Sequence, residues 1–80
     1  MRLAVVEWED ACEIDNTPWE FEPEEHTYTP YIVTQVGYVC YDGPEGIILT
    51  SAHGSGQLAR RNQIPRGMIR NTTYLDTYDR

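Results

Sequence analysis

Four arginines, Arg60, Arg61, Arg66 and Arg70, fall within eleven consecutive residues of an 80-residue chain that contains no lysine. A guanidinium is a planar fork that holds phosphate or carboxylate bidentately and stacks on flat rings, whereas an ammonium is a point charge. The set therefore leans towards specific contacts with an anionic group. Gly54-Ser55-Gly56 precedes it, and consecutive backbone amides in a glycine-rich turn can cradle an anion. The same three residues also make an ordinary hairpin tip, and the Lys-Ser/Thr ending of a P-loop is missing. Nine aromatic residues supply faces on which a base can stack. Trp8, Trp19, Phe21, Tyr38 and His53 are the candidates for stacking, and Arg60, Arg61, Arg66 and Arg70 for phosphate. Together these nine residues suit a small phosphorylated nucleotide, bound without a cofactor.

Catalysis has less to stand on. His26 and His53 have no partner at motif spacing, and Cys40 lies in an apolar run, where a thiol is inert. Cys12 with a histidine is the one pairing that spacing leaves open. Glu24-Glu25-His26 lacks zinc-ligand spacing, so no metal site is expected. The chain reads as a binding protein rather than an enzyme.

Charge is distributed unevenly. Residues 1–45 hold eleven acids against Arg2 alone, a balance of −10, while residues 46–80 hold five arginines and two aspartates, a balance of +3. A net charge of −7 repels a phosphate backbone, whose non-specific binding rests on counterion release. Non-specific nucleic acid is therefore not an expected partner. Met1-Arg2 is followed by only four apolar residues before Glu7, too few for a signal core, and no apolar run reaches membrane-spanning length. The expectation is a cytoplasmic protein with no membrane partner, in which Cys12 and Cys40 are reduced thiols.

These side chains need a scaffold, and the stretch Tyr31–Ala52 provides its centre. Two apolar runs, 31–41 and 46–52, flank Asp42-Gly43-Pro44-Glu45. Both runs are rich in β-branched and aromatic residues, and the linker is turn chemistry, so the stretch predicts a β-hairpin. Strict alternation puts Ile32, Thr34, Val36, Tyr38 and Cys40 on one face and Val33, Gln35, Gly37, Val39 and Tyr41 on the other. Neither face is cleanly polar, which predicts that one covers a core and the other a partner or ligand. Gly37 predicts a bend. Leu3–Ala11 is a first strand with Ala4, Val6 and Trp8 on one side, and Trp8 is a candidate core residue as well as a candidate for stacking. Residues 12–30 show neither period and contain three prolines. Such a long connection suggests a lid, an interface or disorder, and Trp19 and Phe21 among its acids suggest docking. Beyond the hairpin, Ile64, Ile69 and Leu75 are expected core contacts, and residues 76–80 a polar tail.

Five strands, a bent central hairpin and a short turn before the last strand describe a small Sm-like or SH3-like barrel. Ile64-x-Arg66-Gly67-x-Ile69 resembles the second Sm motif, whose Arg-Gly turn approaches bound nucleotides in Sm rings. The first Sm motif, with its Asp and Asn, is not recognisable in Tyr38–Leu49, a departure that bears against RNA binding. Trp8-x-Asp10-Ala11, the acidic Trp-bearing stretch, Val36-Gly37-Tyr38, Ile48-Leu49, Ile64-Pro65 and Met68-Ile69 together resemble small phage-encoded Sm-like proteins.

The resemblance implies a single domain over residues 1–80 that assembles with copies of itself, a ring being the expected form. By analogy with phage proteins that act as sponges, it implies an anti-defence function. Such a protein binds a nucleotide-derived immune second messenger, of cyclic nucleotide or ADP-ribose type, in the host cytoplasm and does not cleave it. The alternatives are an acidic adaptor that inhibits a host protein and an Sm-type RNA-binding ring.

Overall fold

The computed structural model describes residues 1–12, 14, 19 and 21–75; the expected tail at residues 76–80 lies outside them. The described residues are all-β. Strand β1 is Leu3–Asp10, β2 Tyr31–Gly43, β3 Gly46–Thr50, β4 Ala52–Gly54, β5 Gln57–Ala59, β6 Asn62–Pro65 and β7 Ile69–Leu75, with a 3₁₀ turn at Arg66–Met68. Five of them form one antiparallel sheet in the order β6-β3-β2-β1-β7, and β4 and β5 form a separate two-stranded hairpin. Among the described residues no helix is long and apolar enough to cross a membrane.

The expected closed barrel is corrected to an open sheet. Its edges, β6 and β7, do not pair with one another. Strand β6 is four residues long and ends at Pro65, which cannot donate to a ladder, and the 3₁₀ turn separates it from β7. Side chains span the gap instead.

The central hairpin forms as its composition dictates, with a two-residue turn at Pro44-Glu45. The Arg66 N–H donates to the Glu45 carbonyl at 2.9 Å and ties this turn to the 3₁₀ turn. Two glycines are required by close approach. A Cβ on Gly46 would lie 2.1 Å from the Ile64 carbonyl oxygen, and one on Gly37 would lie 3.1 Å from that of Thr50.

The core is small: Ala4 and Val6 from β1, Ile47 and Leu49 from β3, and Ile64 from β6, with Trp8, Val39, Ile69 and Tyr74 packed against them half-buried. Of the expected core contacts, Leu75 is the exception. It pairs with Leu3 in the register, on the side of β1 opposite Ala4 and Val6.

Two irregularities break the strict alternation. Between Val39 and Tyr41 the β2–β3 register shifts, so that Cys40 is an extra residue and Asp42, not Tyr41, stands opposite the buried Ile47. Between β1 and β7 the register shifts so that Trp8 pairs with Ile69 and Arg70 is the extra residue. A bulge re-aims side chains by one position, and here it re-aims charged ones.

Candidate functional site

Asp42 and Arg66 form the first of two polar clasps. The Asp42 carboxylate accepts from the Tyr74 hydroxyl at 2.6 Å and from Arg66 Nη2 at 2.5 Å. The same Arg66 nitrogen reaches the Gly43 carbonyl at 2.6 Å, so its two protons are committed. Tyr74 also lies under the Arg2 guanidinium, 4.0 Å from ring centroid to Cζ. The hydrogen bonds from Tyr74 and Arg66 hold the Asp42 carboxyl below its ordinary range, and the one to Asp42 raises the Tyr74 phenol. Arg66, expected to meet phosphate, is therefore engaged within the chain, where it joins the hairpin turn to the turn before β7.

The second clasp is uncharged. Gln35 Oε1 accepts from Trp8 Nε1 at 3.3 Å and from Asn62 Nδ2 at 2.8 Å, which links β2 to β1 and to the edge strand β6. Trp8 is thus oriented by a side chain of its own sheet and packs on the core. Arg70 is also occupied. The bulge in β7 brings it to Glu9, with which it forms an ion pair whose carboxylate is largely buried.

The remaining candidates divide between two places. Trp19 and Phe21 stand on the connection between β1 and β2, 89% and 99% exposed. Its described residues form no strand or helix, and Glu13, Asp15 and Glu20 of the acidic stretch lie outside them. At its base is a recess of about 660 Å³ lined by Cys12, Ile14, His26, Tyr28 and Tyr31 among others. Cys12 and Cys40 are both free thiols. Among the described residues no three His, Cys, Asp or Glu side chains gather where a metal could be held.

Tyr38 and His53 meet on the outer sheet face, and Arg60 and Arg61 directly follow the β4–β5 hairpin that carries His53. The His53 ring meets Tyr38 edge-on, centroids 4.7 Å apart. His53 is held there by the β4–β5 hairpin, whose tip residues Ser55 and Gly56 take φ of 52° and 72°. Two consecutive positive φ values make the primed turn that suits strand twist, so Gly54-Ser55-Gly56 serves as a hairpin tip. The hairpin is anchored at its root. The Ala59 carbonyl accepts from Ser51 N at 3.1 Å and from the buried Thr50 hydroxyl at 2.7 Å, and Thr50 is the register partner of Tyr38. Arg60 follows at once, in the left-handed region at φ 54°, a conformation few arginines adopt. Among the described residues Arg60 and Arg61 enter neither ion pair, and no acid occurs anywhere from residue 46 to 75.

No family model, curated protein or solved structure matches this chain. Its function has to be argued from this geometry alone.

A further recess was not expected. Tyr41, Glu45, Gly46, Ile48, Gln63 and Pro65 line a shallow depression of about 410 Å³ beside the edge strand β6. The Tyr41 hydroxyl donates to Glu45 across its rim at 2.9 Å, which raises the phenol above its ordinary range. The only sequence signal for it was the turn Asp42–Glu45, because the bulge that places Tyr41 over Ile48 leaves no trace in composition.

Proposed function

We propose that the chain is a non-catalytic binding protein that takes a small phosphorylated nucleotide at the Tyr38–His53–Arg60 corner and holds it unchanged. The observation that carries this reading is the corner itself. His53, on a hairpin rooted by the Ala59 carbonyl, meets Tyr38 of β2, and a left-handed Arg60 and then Arg61 follow that hairpin in a stretch without acids. An aromatic face takes the base and the two guanidiniums take phosphate. Neither recess described above includes Tyr38, His53, Arg60 or Arg61, which favours a site completed by a second copy. Two unpaired sheet edges and an uncovered outer face favour the same assembly. The strand order, with a 3₁₀ turn before the last strand, supports reading the sheet as a partly opened relative of the SH3-like and Sm-like barrels. The resemblance gives the biological form of the proposal, a phage-encoded sponge for an immune second messenger in the host cytoplasm.

The test is to incubate the protein with candidate nucleotide messengers, remove unbound ligand, denature the protein and analyse what is released. Intact nucleotide released only on denaturation, and lost in Arg60→Ala, supports the proposal. A cleaved product makes the protein an enzyme. Absence of binding leaves the second reading, an acidic adaptor, which the exposure of Trp19 and Phe21 among carboxylates favours. Binding of an unstructured oligoribonucleotide that weakens steeply with salt would restore the RNA-binding ring.

A further inference from the structure

The face of the sheet opposite the core carries an apolar patch that none of the described residues covers. Leu3 pairs with Tyr38 and Val5 with Val36 across β1 and β2, and Val36 is 57% exposed. Tyr38 continues the patch to His53, whose register partner Leu58 is also exposed. Beyond Leu58 come Arg60 and Arg61. The opposite end of the face carries Glu7, with Glu9 beside it already paired to Arg70. The patch thus has an apolar middle and a basic end.

The chain also holds a segment of the opposite character. Residues 11–30 carry six acids and no arginine, with Trp19, Phe21 and Tyr28 exposed. They leave the sheet at Asp10 and return at Tyr31, which are register partners. Ten residues separate Phe21 from Tyr31, a reach of up to about 33 Å, whereas Tyr31 to Tyr38 along β2 spans only about 23 Å. The segment is therefore long enough to leave its own sheet and cross another. Within a single chain Trp19 and Phe21 stay in solvent, so the chain alone provides no seat for them.

We propose that the acidic segment of one copy seats on the outer sheet face of a second copy. Trp19 and Phe21 lie against Val36, Tyr38 and Leu58, and the neighbouring carboxylates Glu22 and Glu24 meet Arg60 and Arg61. Charge complementarity selects this direction, because it sets the segment's acids against two arginines outside the chain's ion pairs, whereas the reverse would set them against Glu7 and a Glu9 already paired to Arg70. The contact is heterologous, one patch on each copy being different, so repetition closes a ring or extends a chain of copies. It deepens the assembly part of the function proposed above and does not require that a nucleotide binds; because it uses the same Tyr38, Arg60 and Arg61, a nucleotide at that corner competes with the segment.

Sedimentation or light scattering of the full chain across a concentration series tests it. Wild type should associate, and the association should weaken as salt is raised, because screening acts on the charged part of the contact. Trp19→Ala with Phe21→Ala should weaken association roughly tenfold or more, as expected when aromatic anchors are removed. Both residues are exposed, so the fold should survive, and an unchanged circular dichroism spectrum checks this. The decisive experiment is a charge reversal. Arg60→Glu with Arg61→Glu, and separately Glu22→Arg with Glu24→Arg, should each associate poorly, and an equimolar mixture of the two should recover a mixed assembly. Failure of that mixture to recover, or full association of the Trp19/Phe21 variant, overturns the proposal while leaving assembly through the sheet edges standing. A monomer at every concentration overturns both. A monomer in which Trp19 is shielded from a soluble quencher means the segment folds back on its own sheet, which also refutes the exchange.

Discussion

Replacing Asp42 should show how an open sheet is held in place of a ladder. The carboxylate receives two hydrogen bonds, from Tyr74 on β7 and from Arg66 in the 3₁₀ turn, while its own backbone stands at the hairpin. A charge-assisted bond contributes about 1.5–3 kcal/mol when well shielded. Here the Asp42 and Arg66 side chains are 34% and 41% exposed, so solvent screening lowers each bond to about 1 kcal/mol. Asp42→Ala should then cost about 2 kcal/mol, or roughly 8–16 °C in melting temperature for a domain of this size. Tyr74→Phe, which removes one bond and keeps the ring under Arg2, should cost about half as much. The two changes together should cost less than their sum, because they share a bond.

Acid titration supplies a second readout of the same clasp. The hydrogen bonds depress the Asp42 pKa in the folded chain, so the unfolded chain binds the proton first as pH falls. The stability Asp42 contributes is therefore complete above its unfolded value near 3.9 and is lost as pH falls through its folded value. Tyr74 has the opposite sign: its raised pKa gives stability that is complete below about pH 10 and lost as pH rises through the folded value. The gap between wild type and Asp42→Ala, followed by urea unfolding, should be constant near neutrality and narrow below about pH 4. A variant that melts within about 2 °C of wild type, or a gap that stays open at the lowest pH, would refute the clasp.

Other outcomes follow from the same geometry. Gly46→Ala should cost about 3 kcal/mol or more in a urea titration, because its Cβ meets the Ile64 carbonyl oxygen at 2.1 Å. Gly67→Ala, which meets nothing within 4 Å, should stay within about 0.5 kcal/mol. Gln35→Ala leaves the Trp8 and Asn62 donors without their acceptor and should cost about 1–3 kcal/mol, with a change in Trp8 fluorescence. Ile47→Ala removes a fully buried side chain from a core of five and should cost about 2–5 kcal/mol, enough to unfold the chain at modest temperature.

Much of the scaffold is legible in the residues because local preference and burial agree there. The hairpin around Pro44-Glu45 follows from β-branched runs and a turn, and the first strand from Ala4, Val6 and Trp8 alternating with Leu3, Val5, Glu7 and Glu9. Closure does not follow in this way. It depends on whether β6 and β7 meet, and a Pro65 that ends β6 without a ladder donor suits a turn inside a barrel as well as an open edge. Leu75 was misplaced for a related reason: an apolar side chain suits either face of a sheet when both faces carry apolar residues.

The site was harder to read because its assignments turn on two extra residues. Strict alternation from Tyr31 puts Asp42 on the face of Tyr38 and sends Tyr41 inwards. Cys40 consumes one position, so Asp42 instead stands opposite Ile47 and reaches Tyr74. Arg70 consumes one in β7 and pairs with Glu9. Two of four clustered arginines thereby become internal ties, and no spacing rule separates them from Arg60 and Arg61. What separates them is the distribution of acids. Asp42 and Glu9 come within reach of Arg66 and Arg70 through the sheet, whereas Arg60 and Arg61 follow the separate β4–β5 hairpin and enter neither ion pair. A chain with an acidic first half and an arginine-bearing second half neutralises itself where the sheet brings the halves together. It leaves Arg60 and Arg61 outside both ion pairs, and there an anionic group, from a ligand or from another copy, finds no competing carboxylate among the described residues.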